Sequence, residues 1–450
     1  MSFQNKTFIS QWIAAGLLLL AIPNVNASTN AVTNFQDALT KVQQYQAQSE
    51  VQTQRRKLAT LNIQNSRLWQ NPVFSIEQNG FDSSQEQELS IGISQLLDVF
   101  GQRKINQKIA TLSEQQLQLK EQLWKAQGEL IVKHVWAQYI LSETEKAIFA
   151  KQIKASQANV DSAKKRYQAG SIALVDYERA QIEHLDIQRQ SQQALLTLQT
   201  SQRQLSSLWG ETQVSFKIQP KNLVWPSEIG HAVEKNIQQG WLEKLYILNL
   251  QQSHQQVELL RVKSRPQPTL NLGMTQTKAP LQDNETTVAL GVEIPLNIFN
   301  RKQYAIPMAE RQQQLLNQMQ QRELKQQILD IANRLNELKG LRQQFDAIAT
   351  QIQLSEKVQS RTLQGFQAGK FSITDMQQTS LLLQNLRVSQ LQILKQAWKI
   401  GLSIEALSLG TSYEDISQST AYTQLIKNAF AEMQKALKSL IQDRIHSKTE

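Results

Sequence analysis

The chain contains one short pattern twice, and this repetition limits the possible folds more than any other feature of the sequence. The segments YQAGSIALVD and FQAGKFSITD begin at Tyr167 and Phe366, and each lies between long runs rich in Gln, Leu and Lys. Glycine readily adopts the left-handed conformation that ends a helix. Gly170 and Gly369 are therefore predicted to close a helix and reverse the chain. Each segment is then the tip of a helical hairpin, and the chain has an internal two-fold repeat.

The segments that flank the tips have the properties of long amphipathic helices. Proline is absent between Pro72 and Pro220 and after Pro307, so both stretches are free to be helical. Apolar residues recur every three or four positions in the first stretch and every seventh position in the second. We expect two rods of roughly 100 Å at a rise of about 1.5 Å per residue, over Gln102–Gln168 and Lys302–Gln367. A second helix returns antiparallel after each tip.

Four shorter segments alternate apolar residues with small or polar ones, which is typical of strands with two different faces. The apolar positions of these segments are Phe74 and Ile76, Leu89 to Ile93, Leu270 to Met274, and Val288 to Ile294. A soluble two-sided sheet has the same alternation. Segment lengths near ten residues and the aromatic residues Phe81, Phe100 and Phe299 at strand ends favour a membrane β-barrel.

The first residues have the composition of a secretory signal peptide. Lys6 precedes the apolar run Phe8–Ile22, and small residues follow up to Ala27, where we expect cleavage. The alternative is a membrane anchor, but the run is short for a spanning helix. The chain has no cysteine, which excludes a lipid-bearing cysteine, disulfides and thiolate metal sites.

The repeat predicts how the chain is divided. The first repeat contains a helix, two strands, a long helix, a tip and a return helix, and the second repeat has the same order. The predicted units are a signal peptide over 1–27, a first repeat over 28–210, a linker over 211–229, a second repeat over 230–410 and a C-terminal helical tail over 411–450.

Composition and motifs argue against several classes of function. The net charge of +10 is spread along helices in which basic and acidic residues alternate, so nucleic-acid binding is not indicated. No catalytic motif is present, and we expect neither enzyme activity nor a cofactor. A metal site is not expected either, because the histidines are scattered along the chain: His134, His184, His231, His254 and His446.

Four strands are too few to close a membrane barrel. Small barrels need about eight strands, and an open edge in lipid leaves unpaired amides that cost several kcal/mol each. Other copies of the chain must therefore complete the sheet. Two copies would supply eight strands and three copies twelve.

Several motifs resemble those of a known family. They are Asn71-Pro72, SQLLDVFGQR over Ser94–Arg103, EIPLNIFNRKQ over Glu293–Gln303, and the two tip segments. Over essentially the whole mature sequence the chain is similar to the TolC-like outer-membrane efflux proteins. Within that family it most resembles the CzcC-like branch, which serves heavy-metal exporters.

The resemblance implies a mainly helical fold with membrane β structure. Long antiparallel helical hairpins would form an α-barrel, and four strands per protomer would contribute to a 12-stranded outer-membrane β-barrel in a homotrimer. The tips would meet a periplasmic adaptor protein, which couples the channel to a proton-driven inner-membrane pump of the RND class. The channel would be a passive exit duct for heavy-metal cations.

Two groups of alternatives remain open at this stage. The cargo of the same channel could instead be drugs, other small molecules or, as in type I secretion, protein. A different class is a periplasmic coiled-coil adaptor or scaffold, which would carry one hairpin beside a compact β domain rather than two hairpins and two strand pairs.

The resemblance also assigns roles to individual residues. Asp375 would line the closed mouth of the channel as an acidic ring, although its position after Ser372 also fits a helix cap. Some relatives carry a second Asp where this chain has Gln378. The resemblance further implies that the tip residues Gly170, Gly369 and Asp176 dock the adaptor, and that Asp176, the counterpart of Asp375 in the internal repeat, does not line the pore. Arg103 and Arg301 are expected to begin the long helices just below the barrel, where they would anchor the chain near lipid headgroups.

Overall fold

The computed structural model describes residues 32–47, 51–82, 85–211, 225–226, 233–234, 236–237, 239–280, 283–428 and 431. The predicted signal peptide, most of the linker and the end of the C-terminal tail lie outside these residues. His231 and His446 lie outside them as well.

The described helices and strands follow the same order in each half of the chain. The first half contains α1 (Phe35–Ala47), α2 (Val51–Ser66), β1 (Val73–Asn79), β2 (Gln87–Leu96), α3 (Gln102–Gln168) and α4 (Leu174–Ser207). The second contains α5 (Trp241–Lys263), β3 (Thr269–Lys278), β4 (Glu285–Glu293), α6 (Ala305–Gln367), α7 (Ile373–Ser408) and the short α8 (Tyr413–Ser417). The long helix α3 has the predicted bounds.

The four strands form one antiparallel sheet in the order β1-β2-β3-β4. The central pairing joins the two halves of the chain, with Gly92 of β2 opposite Gly273 of β3. β1 and β4 are the edge strands, and each is paired on one side only within the protomer. The sheet therefore ends in two open edges, one from each half.

The long helices form two antiparallel hairpins. α3 packs along α4, and α6 packs along α7. α5 lies between α3 and α6, and α7 also contacts α3, so the two hairpins form one continuous helical layer. Across the described residues, no helix is both long enough and apolar enough to cross a bilayer.

The second rod begins later than the sequence predicts. α6 begins at Ala305, not at Lys302, so Arg301 precedes the helix instead of opening it. Lys302 has φ of 57°, a left-handed conformation that interrupts helical geometry. Its amide donates to Asn300 Oδ1 at 3.2 Å, which stabilises a turn before the helix. Pro307 then fits the first helical turn, where its missing N–H has no intrahelical partner to lose.

The buried core is divided into clusters along the helices. One cluster joins α1 to α3 and α4 and includes Tyr139 and Leu205. Another joins α3, α7 and α8 and includes Leu402 and Ile416. An amphipathic helix buries only a narrow apolar face, so successive stretches of the long helices pack around separate small clusters.

Candidate functional site

The two tips have nearly identical backbone geometry. Gly170 and Gly369 adopt φ of 70° and 77°, the left-handed conformation expected from the sequence. At the first tip the amide of Ser171 donates to the Arg166 carbonyl at 2.8 Å, and at the second the amide of Lys370 donates to the Gly365 carbonyl at 2.8 Å. These bonds define a Schellman cap, which satisfies the last carbonyls of a helix and turns the chain.

Arg166 links the tip of the first hairpin to the tip of the second. Its Nη1 donates to the carbonyl oxygen of Phe366 at 3.1 Å and to that of Phe371 at 3.4 Å. Beneath this contact an apolar cluster from all four long helices includes Phe366 and Met376, which are almost fully buried. Arg166 is not recognisable as a site residue from the sequence, since a basic residue in the last turn of a helix is common and indicates no distant partner.

Asp375 forms a capping box with Ser372 at the start of α7. The Asp375 amide donates to Ser372 Oγ at 3.1 Å, and Asp375 Oδ2 accepts from the Ser372 amide at 2.9 Å and from its hydroxyl at 2.6 Å. These hydrogen bonds hold the pKa of Asp375 below its ordinary value. The carboxyl group is exposed at the tip. The capping role considered from the sequence is therefore present in the protomer.

Asp176 occupies the corresponding position on α4 but makes different contacts. The residue at the N-cap is Ala173, which has no side chain able to cap the helix. Asp176 Oδ1 instead lies 3.7 Å from an Arg179 nitrogen one turn further along α4. The two tips thus share a backbone shape but differ in the partners of their acidic residues.

Arg103 and Arg301 lie near the junction between the sheet and the helices. The Arg103 guanidinium stacks 4.1 Å from the centre of the Trp69 ring, and its amide donates to Asp98 Oδ2 at 2.9 Å. Arg301 donates through Nε to the Ile298 carbonyl at 3.2 Å in the turn before α6. Arg103 is therefore held by an aromatic side chain of the preceding segment, whereas Arg301 is held by its own turn.

One face of the sheet is apolar and open to the surroundings in the protomer. The strand register aligns the apolar side chains in two rows across the four strands: Phe74, Ile93, Leu272 and Leu290 in one, and Ile76, Ile91, Met274 and Val288 in the other. Most of these side chains are exposed, and Leu290 is 74% exposed. Soluble proteins seldom leave an apolar surface of this extent uncovered.

The opposite face carries small and polar residues. Ser75, Gly92, Gly273 and Ala289 form a row across this face. A Cβ atom at Gly92 would lie 2.9 Å from Ser75 Oγ, so a larger residue there would force the Ser75 side chain to move. No Lys or Arg of the described strands has its register position on this face. All four acidic residues of these strands do: Glu77, Glu88, Glu285 and Glu293.

The described histidines are far from forming a metal centre. His134 is buried against Tyr413, with ring centres 5.5 Å apart, and burial lowers the pKa of His134 to about 4. His184 lies against Ser156, with its Nδ1 2.8 Å from the hydroxyl oxygen. Among the residues that the structure describes, no group of three or more metal-binding side chains comes together.

Sequence comparison relates the chain to efflux proteins. Residues 246–407 match the family described as outer membrane efflux protein. The chain is 27% identical over 252 residues to the cobalt-zinc-cadmium resistance protein CzcC of Cupriavidus metallidurans. That alignment covers 54% of this chain and 58% of CzcC, so little more than half of the relative's length is matched.

Solved structures share the fold across most of the chain. The outer membrane protein VceC of Vibrio cholerae superposes with a TM-score of 0.63 at 13% identity, covering 84% of this chain and 96% of VceC. CusC superposes with a TM-score of 0.59 at 17% identity, covering 85% of this chain and 94% of CusC. The CusC crystal structures describe conformational changes that accompany folding and transmembrane channel formation. At these identities the likeness shows the fold.

These comparisons confirm the resemblance drawn from the sequence. The chain is similar to the outer membrane efflux proteins over residues 246–407 and to CzcC, and it has the long-hairpin and sheet fold of TolC-like channels. The expectation that it is not an enzyme is confirmed by the family match.

Proposed function

We propose that this chain is the outer-membrane channel of a tripartite efflux system and serves as a passive exit duct for heavy-metal cations. The observation that carries the proposal is the sheet with one exposed apolar face at the end of two long helical hairpins. An apolar face suits lipid, and a polar face suits a water-filled lumen. The hairpins extend the same duct across the periplasm.

The protein acts as a homotrimer with a 12-stranded barrel. β1 and β4 leave open edges, which lipid does not tolerate, so β4 of one copy pairs with β1 of the next. The helical layer has corresponding edges: α4 exposes Ile182 and Leu185, and α6 exposes Met319 and Leu354. Because the first half supplies one edge of both layers and the second half supplies the other, copies join head to tail and close a ring.

Two observations favour metal cations as the cargo. The relative CzcC is named for cobalt, zinc and cadmium resistance. In addition, the proposed lumen face of the sheet is purely acidic in charge, with Glu77 and Glu88 near one end of the strands and Glu293 at the other. A ring of carboxylates lowers the energy of a cation in a pore and raises that of an anion. Drug or protein export by the same channel is the second candidate.

The periplasmic end of the duct engages its partners. The turns at Gly170 and Gly369 dock a periplasmic adaptor, which connects the channel to a proton-driven inner-membrane pump. Asp375, exposed beside the second turn, contributes to a ring of three carboxylates at the mouth in addition to capping α7. Arg103 and Arg301 anchor the junction between barrel and helices at the lipid headgroups.

Export and domain organisation follow from the same proposal. Residues 1–27 direct the chain out of the cytoplasm and are removed. The mature chain then consists of the repeats 28–210 and 230–410, the linker 211–229 and the tail 411–450, in the outer membrane of a Gram-negative bacterium and its periplasm.

A deletion strain tests the function and the cargo together. Loss of the gene should lower tolerance to zinc, cobalt or cadmium while leaving sensitivity to unrelated antibiotics unchanged, and a plasmid copy should restore tolerance. Sensitivity to antibiotics alone would replace the cargo with small organic molecules. The channel itself is tested by membrane fractionation and light scattering in detergent. A protein that washes off membranes in high salt as a monomer would refute the channel.

A further inference from the structure

The two strand pairs of the chain are related residue by residue. The shift from β2 to β4 is 199 positions, as from Gly92 to Gly291. The shift from β1 to β3 is 196 positions, as from Pro72 to Pro268. We call residues that are related by these two shifts counterparts. The chain thus contains two versions of one strand pair.

The register of the sheet follows the same two shifts. Val73 of β1 lies opposite Ser94 of β2. Their counterparts, Thr269 of β3 and Glu293 of β4, also lie opposite each other. Each of the seven residue pairs between β1 and β2 has its counterpart pair between β3 and β4 in this way. The repeat therefore preserves which residues are opposite each other, as well as which segments are strands.

The pairing of β2 with β3, which we call the internal joint, connects the two halves of the chain. Its counterpart is a pairing of β4 with β1. One protomer does not make this pairing, because β1 and β4 are the opposite edges of its sheet. A second copy of the chain can supply the missing edge.

We propose that β4 of one copy pairs with β1 of the next copy in the register of the internal joint. Ala289 then lies opposite Asn79 of the next copy, as their counterparts Ser90 and Thr275 lie opposite each other in the protomer. Just beyond the strands, Phe299 packs against Trp69 of the next copy. The inference rests on the proposed function, in which several copies close one barrel.

The side chains agree with this register. It places Val292 opposite Ile76 of the next copy, so the apolar face continues from one copy to the next, whereas a slip of one residue would exchange the two faces. A slip of two residues in one direction would place Glu293 opposite Glu77 of the next copy, and like charges in that position are destabilising. In the proposed register Glu77 instead lies opposite Gly291, which has no side chain.

The hydrogen bond at the end of the internal joint has matching residues in the repeat. The Leu97 amide donates to the Pro268 carbonyl oxygen at 2.9 Å, just beyond the two strands. The counterparts of these residues are Leu296 and Pro72, so both residue types are the same. Proline accepts a hydrogen bond but has no N–H to donate. The Leu296 amide is therefore expected to donate to the Pro72 carbonyl of the next copy.

Two exposed aromatic residues mark the level beyond this bond. In the internal joint, the Arg265 guanidinium lies 5.3 Å from the centre of the Phe100 ring. The counterparts of Arg265 and Phe100 are Trp69 and Phe299, which are 58% and 91% exposed in the protomer. Contact between the two rings would remove a large apolar area from water and add the favourable geometry of an aromatic pair.

Disulfide cross-linking tests the register. The chain has no cysteine, so Asn79→Cys and Ala289→Cys can be made as separate full-length variants and coexpressed. Opposite residues of an antiparallel pair have Cα atoms about 4.5–5.5 Å apart, which a disulfide can bridge, whereas diagonal neighbours are about 7–8 Å apart. Mild oxidation should give covalent dimers from the coexpressed variants and none from either variant alone.

Two further combinations detect slipped registers. Glu77→Cys and Phe81→Cys, each coexpressed with Ala289→Cys, would cross-link if the strands were shifted by two residues in one direction or the other. We expect a several-fold lower yield of dimers from both than from Asn79→Cys. A higher yield from either would overturn the proposed register.

A double-mutant cycle tests the aromatic contact. Trp69→Ala and Phe299→Ala should each speed the dissociation of the assembly in detergent. If the rings touch, the combined effect should fall short of the product of the separate effects by roughly 2- to 12-fold per joint. Effects that multiply fully would overturn the contact between these residues.

Light scattering and conductance separate this inference from the proposed function. A trimer that yields no dimers in any of the three combinations would refute the register while the channel stands. A protein that cross-links as expected but conducts no ions in planar bilayers would support the register and refute the export role. A protein that remains a monomer would refute both.

Discussion

The guanidinium of Arg166 lies 4.5 Å from the centre of the Phe366 ring and donates to the Phe366 carbonyl oxygen at 3.1 Å. The contact places a cation at the C-terminal end of α6, where the helix dipole and the last carbonyls favour positive charge. It is supplied by α3, so the end of one hairpin stabilises the end of the other.

Replacing Arg166 by alanine should loosen the contact between the tips. The loss of the charged hydrogen bonds and of the ring contact should weaken tip association by about 1–2 kcal/mol. Hydrogen–deuterium exchange should then be faster in residues 366–372, while the rest of α6 is unaffected. Arg179→Ala is the control, because the ion pair described for Arg179 joins it to Asp176 on its own helix. Equal exchange in both variants would contradict the linking role of Arg166.

Alanine at Gly369 should destabilise the second tip. The left-handed backbone at φ of 77° costs a residue with a Cβ atom about 1 kcal/mol. Gly340→Ala is a matched control inside α6, since a Cβ atom there meets nothing within 4 Å and alanine is the better helix former. We expect thermal unfolding at a lower temperature for the first variant and at an equal or higher temperature for the second. The reverse order would show that the tip geometry is wrong.

Two variants distinguish capping by Asp375 from a role at the channel mouth. Ser372→Ala removes the cap but keeps the carboxylate, and should cost about 1 kcal/mol of stability. Asp375→Ala removes both. Because the pKa of Asp375 is lowered, the stability that its capping hydrogen bonds contribute is fully present above pH 3.8, the ordinary pKa of the group. This stability is lost as the pH falls through the lowered pKa. Cation block of the conductance should change only in Asp375→Ala. Identical block in both variants would leave capping as its sole role.

A lysine on the apolar face of the sheet should impair membrane insertion, whereas a lysine on the polar face should not. Leu290→Lys and Thr287→Lys are a matched pair because both residues are exposed in β4 and lie on opposite faces. A cation facing the middle of a bilayer costs about 2–4 kcal/mol. We expect less assembled protein in the outer membrane for Leu290→Lys alone. Equal assembly of both variants would contradict the assignment of the two faces.

Stability in acid should depend on His134. Burial lowers its pKa from 6.5 to about 4, so the folded protein keeps this histidine neutral while the unfolded chain protonates it. The free energy of unfolding should therefore decrease as the pH falls from about 6.5 to 4, by up to about 3 kcal/mol, and this contribution should level off below pH 4. In His134→Phe denaturation curves, this part of the pH dependence should disappear. An unchanged pH dependence would show that other groups cause the acid sensitivity.

The sequence by itself determined the local structure of this protein. The absence of proline and the apolar spacing define the helix over Gln102–Gln168, and glycine in a left-handed position defines each tip. The two-residue alternation identifies the strands and the residues that share a face. These features depend on interactions between near neighbours in the chain, and such interactions leave a periodic pattern in the sequence.

The tertiary structure alone decided which distant residues meet. Arg166 and Phe366 are 200 positions apart, and nothing in the spacing of either segment indicates that a side chain of one reaches the backbone of the other. The pairing of β2 with β3 likewise joins segments that are far apart in the chain. Hydrogen-bonding and charged side chains are common on every exposed helix face. Only the packing of the two hairpins removes particular ones from water, and this loss of hydration sets their pKa values and their roles.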